Sequence, residues 1–422
     1  WPPSGGAGVQ RWLKFVKYLR NFGWEPVIYT PSNPEAPVED STLLEELPDE
    51  LEVVKRHIWE PYAIYKRFTG QKKDAKVQAG FLSEEKKPGR LEKLSIWVRG
   101  NLFIPDARKY WINPSVKFLT QYLEDHPVDA LVTTGPPHSM HMIGQKLHRR
   151  MNIPWLADFR DPWTGIDFYH HLMLSEKADR KHQEMERVVL REASAVVAVG
   201  RVLADELGRI GNRGVHVITN GYDEADIPGK PIERHKEFTI AHVGAMNKDR
   251  NHPAFWKAVR QLIDSINGEK NIIRIELIGK LDLSVKEAIE QNDLQAYTNI
   301  QRYLPHREAI GELRRSHLLY LPVNNTPNAK GILTGKLFEY LAVRHPILAV
   351  GPKEGEVSSL LQETKSGEIF DFTDQKGIFE YLKQHYEEYL AGNDPLLSTP
   401  VQKYSRKALT GEMAEILNNI VK

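Results

Sequence analysis

Cysteine is absent from this sequence of 422 residues, which excludes disulfide bonds, a thiol nucleophile and cysteine-rich zinc sites. No run of about 18 apolar residues could span a bilayer, and no signal peptide is visible, so we expect a cytoplasmic globular protein. Neither sign of charge is in excess, because 57 basic residues face 56 acidic ones. A general role in binding nucleic acid gains no support, and any polyanion site must be local.

The hydrophobic pattern predicts two successive series of strands and helices, which is typical of an α/β protein with mostly parallel sheets. The first series is expected to form one Rossmann-like domain over residues 1–222. The second begins with the strand at Phe238 and contains six strand–helix units, which predicts a doubly wound domain over residues 237–395. Residues 396–422 are expected to hold a terminal helix that could pack back on the first domain.

The chain opens on a loop, Trp1-Pro-Pro-Ser-Gly-Gly, and then follows a helical pattern. In a doubly wound domain such a loop normally follows the first strand. We therefore expect that roughly ten residues carrying that strand precede Trp1 in the native protein.

The segment 65–109 differs from its surroundings because it holds twelve basic and five acidic residues together with an apolar stretch. Two interpretations stay open. The segment could rest on an anionic membrane surface, or it could be a solvated insertion whose apolar side chains pack inward.

A glycine-rich turn, Gly331-Ile-Leu-Thr-Gly, precedes a predicted helix that carries Lys336 and Glu339 in its first turns. A lysine there opposes the helix macrodipole, and a bound phosphate would remove the conflict. Glu339 could accept two hydrogen bonds from a ribose diol, so the pair suits a nucleotide diphosphate. A P-loop is excluded, because only three residues separate Gly331 from Gly335 and Leu337 replaces the magnesium-binding hydroxyl.

Three motifs, in order and spacing, resemble the retaining glycosyltransferases of family four, and within them the bacterial branch that assembles surface polysaccharides. The motifs are Asn220-Gly-Tyr-Asp223, Gly244-Ala-Met-Asn-Lys-Asp-Arg250-Asn and Lys336-Leu-Phe-Glu339. The resemblance implies the GT-B fold, in which two doubly wound Rossmann-like domains face each other across a cleft.

The resemblance also implies transfer of a sugar from a nucleotide-diphosphate donor, UDP- or GDP-linked, to a saccharide or lipid-linked acceptor. The anomeric configuration would be retained, and neither a metal nor another cofactor would be required. The setting would be the cytoplasm or the inner face of the cell membrane, where such polymers are assembled.

Particular residues match the family's motifs. Glu339 would bind the donor ribose, and Arg250, with Lys336, would bind the diphosphate. The amides of Gly5 and Gly6, in the family's first glycine loop, would approach the same diphosphate from the other domain.

Two further polar groups follow predicted strands of the first domain. His138, in Gly135-Pro-Pro-His, would hydrogen-bond the donor sugar. Asp161 ends the stretch Asp158-Phe-Arg-Asp, where an acid could orient or deprotonate the acceptor hydroxyl. An equally weighted interpretation is a structural ion pair between Arg160 and a carboxylate.

The sequence departs from the family at two positions, since Gly331 replaces the first glutamate of Glu-x7-Glu and Ala245 replaces an arginine. Other groups would then contact the donor sugar: Asn328, Lys330 and the loop Gly331, Ile332, Leu333 and Thr334. Two alternatives stay open, namely a nucleotide-sugar-binding module that has lost catalysis and an epimerase or phosphorylase of the same architecture.

Overall fold

The computed structural model describes residues 1–34, 39–60, 90–166, 169–227, 229, 232–266, 272–302, 304–393 and 401–422. The chain forms two compact units. Unit 1 comprises Trp1–Thr219 and Leu409–Lys422, and unit 2 comprises Asn220–Ala408. Of the basic segment predicted at 65–109, residues 65–89 lie outside the described residues.

Unit 1 contains a parallel pair of strands, β1-β2, and a four-stranded parallel sheet in the order β3-β4-β5-β6. The strands are β1 (Val27–Pro31), β2 (Glu52–Arg56), β3 (Leu131–Gly135), β4 (Trp155–Phe159), β5 (Ala195–Ala198) and β6 (His216–Val217). The helices are α1 (Ala7–Leu19), α2 (Arg90–Leu102), α3 (Ile112–Asp125), α4 (Ser139–Met151), α5 (Glu176–Glu192) and α6 (Arg201–Gly211).

The central strand β4 is buried along its whole length, as expected for a parallel strand covered on both faces. Its side chains alternate between two layers of the core. Trp155 and Phe159 belong to one cluster with the apolar face of α5, whereas Leu156 belongs to a second cluster with Phe15 of α1.

A last helix, α13 (Arg406–Val421), adds to the second of these clusters. Leu409, Met413 and Leu417 are buried there beside Phe15 and Leu156. The chain therefore completes the core of unit 1 with residues from its far end.

Unit 2 contains a six-stranded parallel sheet in the order β12-β11-β10-β7-β8-β9. The strands are β7 (Phe238–Val243), β8 (Ile273–Ile278), β9 (Thr298–Gln301), β10 (Leu318–Pro322), β11 (Ile347–Val350) and β12 (Gly367–Phe370). The helices are α7 (Pro253–Ser265), α8 (Leu283–Gln291), α9 (His306–Arg315), α10 (Gly335–Val343), α11 (Glu356–Thr364) and α12 (Gln375–Leu390). This is the doubly wound strand order of a Rossmann fold.

The faces of this sheet are covered by two apolar clusters, one of which includes Phe255 and Leu262 of α7 and the other Leu337 and Leu341 of α10. Among the described residues, no helix has both the length and the apolar character needed to cross a membrane.

Candidate active site

The order of the strands in unit 2 reverses between β7 and β10, which are neighbours at the centre of the sheet. Ligands of doubly wound sheets bind outside the carboxyl ends of the strands at such a switch point. The turn that follows β7 begins at Gly244, and the segment that follows β10 contains Asn324. A ligand site is therefore expected at this edge of the sheet.

Lys336 lies at this edge, in the first turn of α10, and its side chain passes directly over Gly244. A Cβ atom built on Gly244 would lie 1.8 Å from Cε of Lys336, and the φ angle of Gly244 is +125°, which disfavours other residues. Burial lowers the pKa of Lys336 to about 8, and the positive charge of Arg250 acts in the same direction. No side chain caps this helix, and its first turn contains no acid.

Arg250 stands beside this lysine and is held by neutral groups. Its Nε donates to Oδ1 of Asn324 at 2.6 Å and its Nη1 donates to the carbonyl of Ala245 at 2.9 Å. Burial lowers its pKa from the ordinary arginine value. Within the described part of the chain, neither Arg250 nor Lys336 has a carboxylate partner within 4.0 Å. Two largely buried cations without an acid form a site for an anion.

Glu339 lies one turn further along α10, with its side chain 28% exposed. Burial raises the pKa of this carboxyl group, while His306 and Lys336 act in the opposite direction. The nearest basic nitrogen is Nδ1 of His306, 4.0 Å from Oε1 of Glu339, and His306 also faces Asp226 at 3.8 Å. A partly open carboxylate beside a cationic pair can accept hydrogen bonds from a sugar diol.

Two groups that the sequence analysis did not identify hold this edge together. The backbone N–H of Val243, at the end of β7, donates to the hydroxyl of Tyr340 in α10 at 3.1 Å. His242 is buried and its Nδ1 lies 3.0 Å from the carbonyl of Tyr320 in β10. The sequence around Tyr340 and His242 did not indicate these contacts, because each hydrogen-bond partner lies on an element that is distant in the sequence.

The proposed sugar-binding loop precedes α10. Nζ of Lys330 lies 3.3 Å from a carboxylate oxygen of Glu354, and both side chains are largely exposed. Asn328 accepts a hydrogen bond from the hydroxyl of Thr326 at 2.8 Å. The hydroxyl of Thr334 is buried without a partner in the described structure.

The remaining members of that loop are Gly331, Ile332 and Leu333. Gly331 ends a short 3₁₀ turn, and Ile332 and Leu333 pack partly against the apolar cluster around α10. The amides of Gly331 and Ile332 already donate to the carbonyls of Asn328 and Ala329, so the backbone amides of Leu333 and Thr334 are the ones that remain for a polar ligand.

In unit 1, His138 directly precedes α4 and follows the carboxyl end of β3. The residue is 7% exposed, and its ring stacks on Trp163 with 4.4 Å between the ring centres. Burial holds its pKa well below the usual histidine range, so the ring is neutral at pH 7. Its Nδ1 is buried without a hydrogen-bond partner among the described residues. His138 can therefore serve as a neutral hydrogen-bonding group.

Asp158 and Asp161 have different surroundings. Asp158 is fully buried and accepts hydrogen bonds from Arg11 at 2.9 Å, Trp12 at 2.7 Å and Thr134 at 2.8 Å. Burial alone would raise the pKa of Asp158, but the Arg11 charge and these donors bring it below its usual value. Asp161 is exposed. The ion-pair partner of Asp158 is therefore Arg11 and not the neighbouring Arg160.

Gly5 and Gly6 form the entry to α1. Gly6 is the N-cap, with a φ angle of +106° that favours glycine. No side chain caps the helix, and no acid lies in its first turn. The amide of Val9 donates to the carbonyl of Gly6 at 3.0 Å, so the amides that precede it are the ones left for a ligand. The predicted site residues fall into two groups, with Gly5, Gly6, His138 and Asp161 in unit 1 and the others in unit 2.

The family model described as Glycosyl transferase 4-like domain matches residues 5–221, about half of the chain. The chain belongs to this glycosyltransferase family. No curated protein matches the sequence of this glycosyltransferase.

Solved glycosyltransferase structures are similar to it in fold. Sucrose-phosphate synthase from Thermosynechococcus elongatus has a TM-score of 0.61 at 12% identity, covering 98% of this chain and 94% of that one. HepE of Anabaena, in complex with UDP-glucose, has a TM-score of 0.60 at 13% identity, with coverages of 99% and 97%. TarM of S. aureus has a TM-score of 0.59 at 10% identity, with coverages of 98% and 97%. The predicted GT-B fold with two Rossmann-like domains is confirmed.

Proposed function

We propose that this glycosyltransferase moves a sugar from a nucleotide-diphosphate donor, UDP- or GDP-linked, to a hydroxyl group of a saccharide or lipid-linked acceptor. The proposal rests on the pairing of Lys336 and Arg250 at the switch point of unit 2, two largely buried cations with no carboxylate within 4.0 Å among the described residues. The carboxylate of Glu339 lies on the same helix as Lys336, where it can bind a ribose diol.

The chemistry of the cationic pair fits the departure of a nucleotide diphosphate. Negative charge grows on the leaving phosphate as its bond to the sugar breaks, and fixed positive groups stabilise that charge most in a partly buried site. Two protein cations can supply this stabilisation, so the proposal requires no metal ion.

The roles of His138 and Asp161 complete the proposal. The neutral ring of His138 would hydrogen-bond the donor sugar, and the exposed carboxylate of Asp161 would orient the acceptor hydroxyl. We propose retention of the anomeric configuration, with the acceptor attacking the face that the diphosphate leaves. A trapped covalent sugar–enzyme intermediate would contradict this mechanism.

The nucleotide is tested first, by calorimetric titration of the full chain with UDP, GDP, ADP and CMP. UDP has priority, since HepE was solved with UDP-glucose and TarM with UDP. Glu339→Ala should weaken binding of the selected nucleotide by at least about tenfold, because two hydrogen bonds to a charged group are lost. The control is Glu380→Ala, an exposed glutamate of the same unit. Wild-type affinity in the Glu339 variant would remove the assignment.

The reaction products then distinguish a transferase from the alternative functions. Transfer to an added acceptor supports the proposal. Binding without turnover indicates a module that has lost catalysis, which Gly331 and Ala245 would explain. Turnover without an acceptor, or with free phosphate, indicates an epimerase or a phosphorylase.

We also propose that the enzyme acts in polysaccharide synthesis at an anionic membrane surface, with α2 as the contact. Its exposed apolar side chains are Leu94, Trp97 and Leu102. At about 100° per residue, these three occupy the middle of the exposed face, and the exposed Lys93 and Arg99 lie on its two sides. An apolar stripe between cations suits the interface of an anionic bilayer.

Co-sedimentation with phosphatidylglycerol-containing vesicles tests this contact. Trp97→Glu together with Arg99→Glu should abolish sedimentation, whereas neutral phosphatidylcholine vesicles should bind little protein. Absence of wild-type binding to the anionic vesicles would exclude the membrane contact and leave the transferase proposal untouched.

A further inference from the structure

Two buried histidines of unit 1 direct a ring nitrogen to the same place beside Gly135. A Cβ atom built on Gly135 would lie 2.5 Å from Nε2 of His141 and 3.0 Å from Nδ1 of His138. Within the described structure, both nitrogens are buried without a hydrogen-bond partner. Because they approach one point in a site without water access, the proton position on one ring affects the proton position on the other.

The proton of His141 can be assigned from its other nitrogen. Nε1 of Trp155, in β4, donates to the hydroxyl of Thr133, in β3, at 2.8 Å, and an indole N–H can only donate. The same hydroxyl lies 2.8 Å from Nδ1 of His141. Since Thr133 accepts from the tryptophan, its own hydrogen is left to donate to Nδ1. Burial lowers the pKa of His141 to about 3, so the neutral ring carries its one proton on Nε2.

The ring of His138 is held in place by other contacts. It stacks on Trp163 with an angle of 3° between the two planes. Nε1 of Trp163 in turn donates to Nδ1 of His182 at 3.1 Å, which fixes the indole. Stacking sets the plane of the His138 ring but not the nitrogen that carries its proton. That choice is left to the group that faces Nδ1, which is His141.

We propose that His141 is a positioning residue for His138, with its Nε2–H directed at Nδ1 of His138 so that the proton of His138 stays on Nε2. With Nδ1 turned toward His141, Nε2 is the nitrogen left to contact a substrate. His138 then presents a hydrogen-bond donor, which suits an oxygen of a sugar. This inference rests on the proposed function, in which His138 binds the donor sugar, and adds to it the direction of that hydrogen bond.

Three variants separate this role from simple packing. His141→Leu removes the donor and retains a bulky side chain. His141→Gln keeps an N–H donor near the position of Nε2, so it is the conservative replacement. His126→Gln is the control, because His126 is an exposed histidine of the same unit.

The closing experiment is NMR of the full chain labelled with 15N-histidine, recorded without a ligand. Two-bond 1H–15N spectra identify the ring nitrogen that carries the proton, and the signals lost in His138→Gln belong to His138. In the wild type, His138 should carry its proton on Nε2 alone. In His141→Leu the proton should be shared between both nitrogens, whereas His141→Gln should restore the wild-type pattern and His126→Gln should leave it unchanged.

Titration of the same samples gives a second readout. Burial is the largest cause of the low pKa of His138, and His141 lowers it further. In His141→Leu the pKa of His138 should therefore rise, because no donor then opposes protonation of Nδ1. A proton on Nδ1 of wild-type His138, or an unchanged tautomer and pKa in a folded His141→Leu protein, overturns the inference.

A variant at Thr133 keeps the test open if His141→Leu does not fold. Thr133→Val removes the hydroxyl that holds the proton of His141 on Nε2 and changes the side-chain volume little. Both histidines should then show mixed tautomers in the same spectra. Single, unchanged tautomers in Thr133→Val would overturn the inference equally.

Turnover of UDP-glucose links the proton to catalysis. It should fall by about tenfold in His141→Leu and recover in His141→Gln, since one oriented hydrogen bond to the sugar is lost and regained. Affinity for UDP should be unchanged in both, because Lys336, Arg250 and Glu339 are intact. Wild-type turnover in a variant with a mixed tautomer would overturn the positioning role. Failure of Glu339→Ala to affect nucleotide binding would instead reject the proposed function, and the ligand-free spectra would still decide the role of His141.

Discussion

Charged groups stand at the carboxyl ends of parallel strands in both units, yet their surroundings differ. In unit 1, Asp158 is enclosed by Arg11 and two neutral donors, which use its oxygens inside the protein. In unit 2, Lys336 and Arg250 lie together, and within the described residues no carboxylate comes within 4.0 Å of either of them. The ion pair of Asp158 and Arg11 stabilises the fold. The two neighbouring cations of unit 2 destabilise it, and a bound anion would remove that cost. Position at a strand end is therefore a weaker sign of a site than unsatisfied charge.

The largest expected effect follows from breaking the buried ion pair of Asp158 and Arg11. Asp158→Ala would leave the buried guanidinium of Arg11 uncompensated, which should lower the free energy of unfolding by about 3–5 kcal/mol. Urea unfolding monitored by circular dichroism measures the change. The exposed pair of Arg20 and Glu25 is the control, because solvent screens it, and Glu25→Ala should have no measurable effect. A stable Asp158→Ala protein would contradict a structural role for this carboxylate.

A second prediction compares two buried tyrosines of unit 2. The hydroxyl of Tyr340 accepts a hydrogen bond from Val243, so Tyr340→Phe leaves a backbone N–H unpaired and should cost about 1–3 kcal/mol. Tyr320 has a buried hydroxyl without a partner in the described structure, so Tyr320→Phe should cost nothing or stabilise the protein. Chemical denaturation of both variants provides the measurement. Equal losses would show that ring packing, not the hydrogen bond, governs both positions.

The third prediction concerns the pH dependence of ligand binding at Lys336 and Arg250. The pKa of Lys336 is lowered to about 8, so its amine is charged below that pH and neutral above it. Affinity for a nucleoside diphosphate should therefore fall as pH rises, by about tenfold between pH 7 and pH 9. Calorimetry across this range measures the slope, and Lys336→Arg should abolish it because arginine stays charged. The same slope in Lys336→Arg would assign the titration to another group.

The architecture was largely predictable from the sequence. Apolar runs separated by helical patterns predicted two series of strands, the second of which starts at Phe238 as the structure shows. Parallel strands that are covered on both faces appear in the sequence as continuous apolar runs. Such runs can be recognised without knowledge of tertiary contacts. The six strand–helix units of the second series were recognisable for the same reason.

The details of the site were less predictable. Lys336 and Glu339 could be identified because one helix start contains both of them. The contact of Lys336 with Gly244, the pairing of Asp158 with Arg11 and the position of Arg160 over Gly8 join distant segments. Such contacts depend on how strands are ordered in the sheet, and local patterns do not encode that order.

The route of the chain through α13 has a consequence for biosynthesis. Because Leu409, Met413 and Leu417 fill the core of unit 1, a ribosome must translate all of unit 2 before unit 1 receives its last apolar layer. Until then, Phe15 and Leu156 are exposed to chaperones and to aggregation. A fragment cut at Thr219 would keep that surface permanently uncovered, so expression of unit 1 alone requires the terminal helix to be supplied by circular permutation or as a separate peptide.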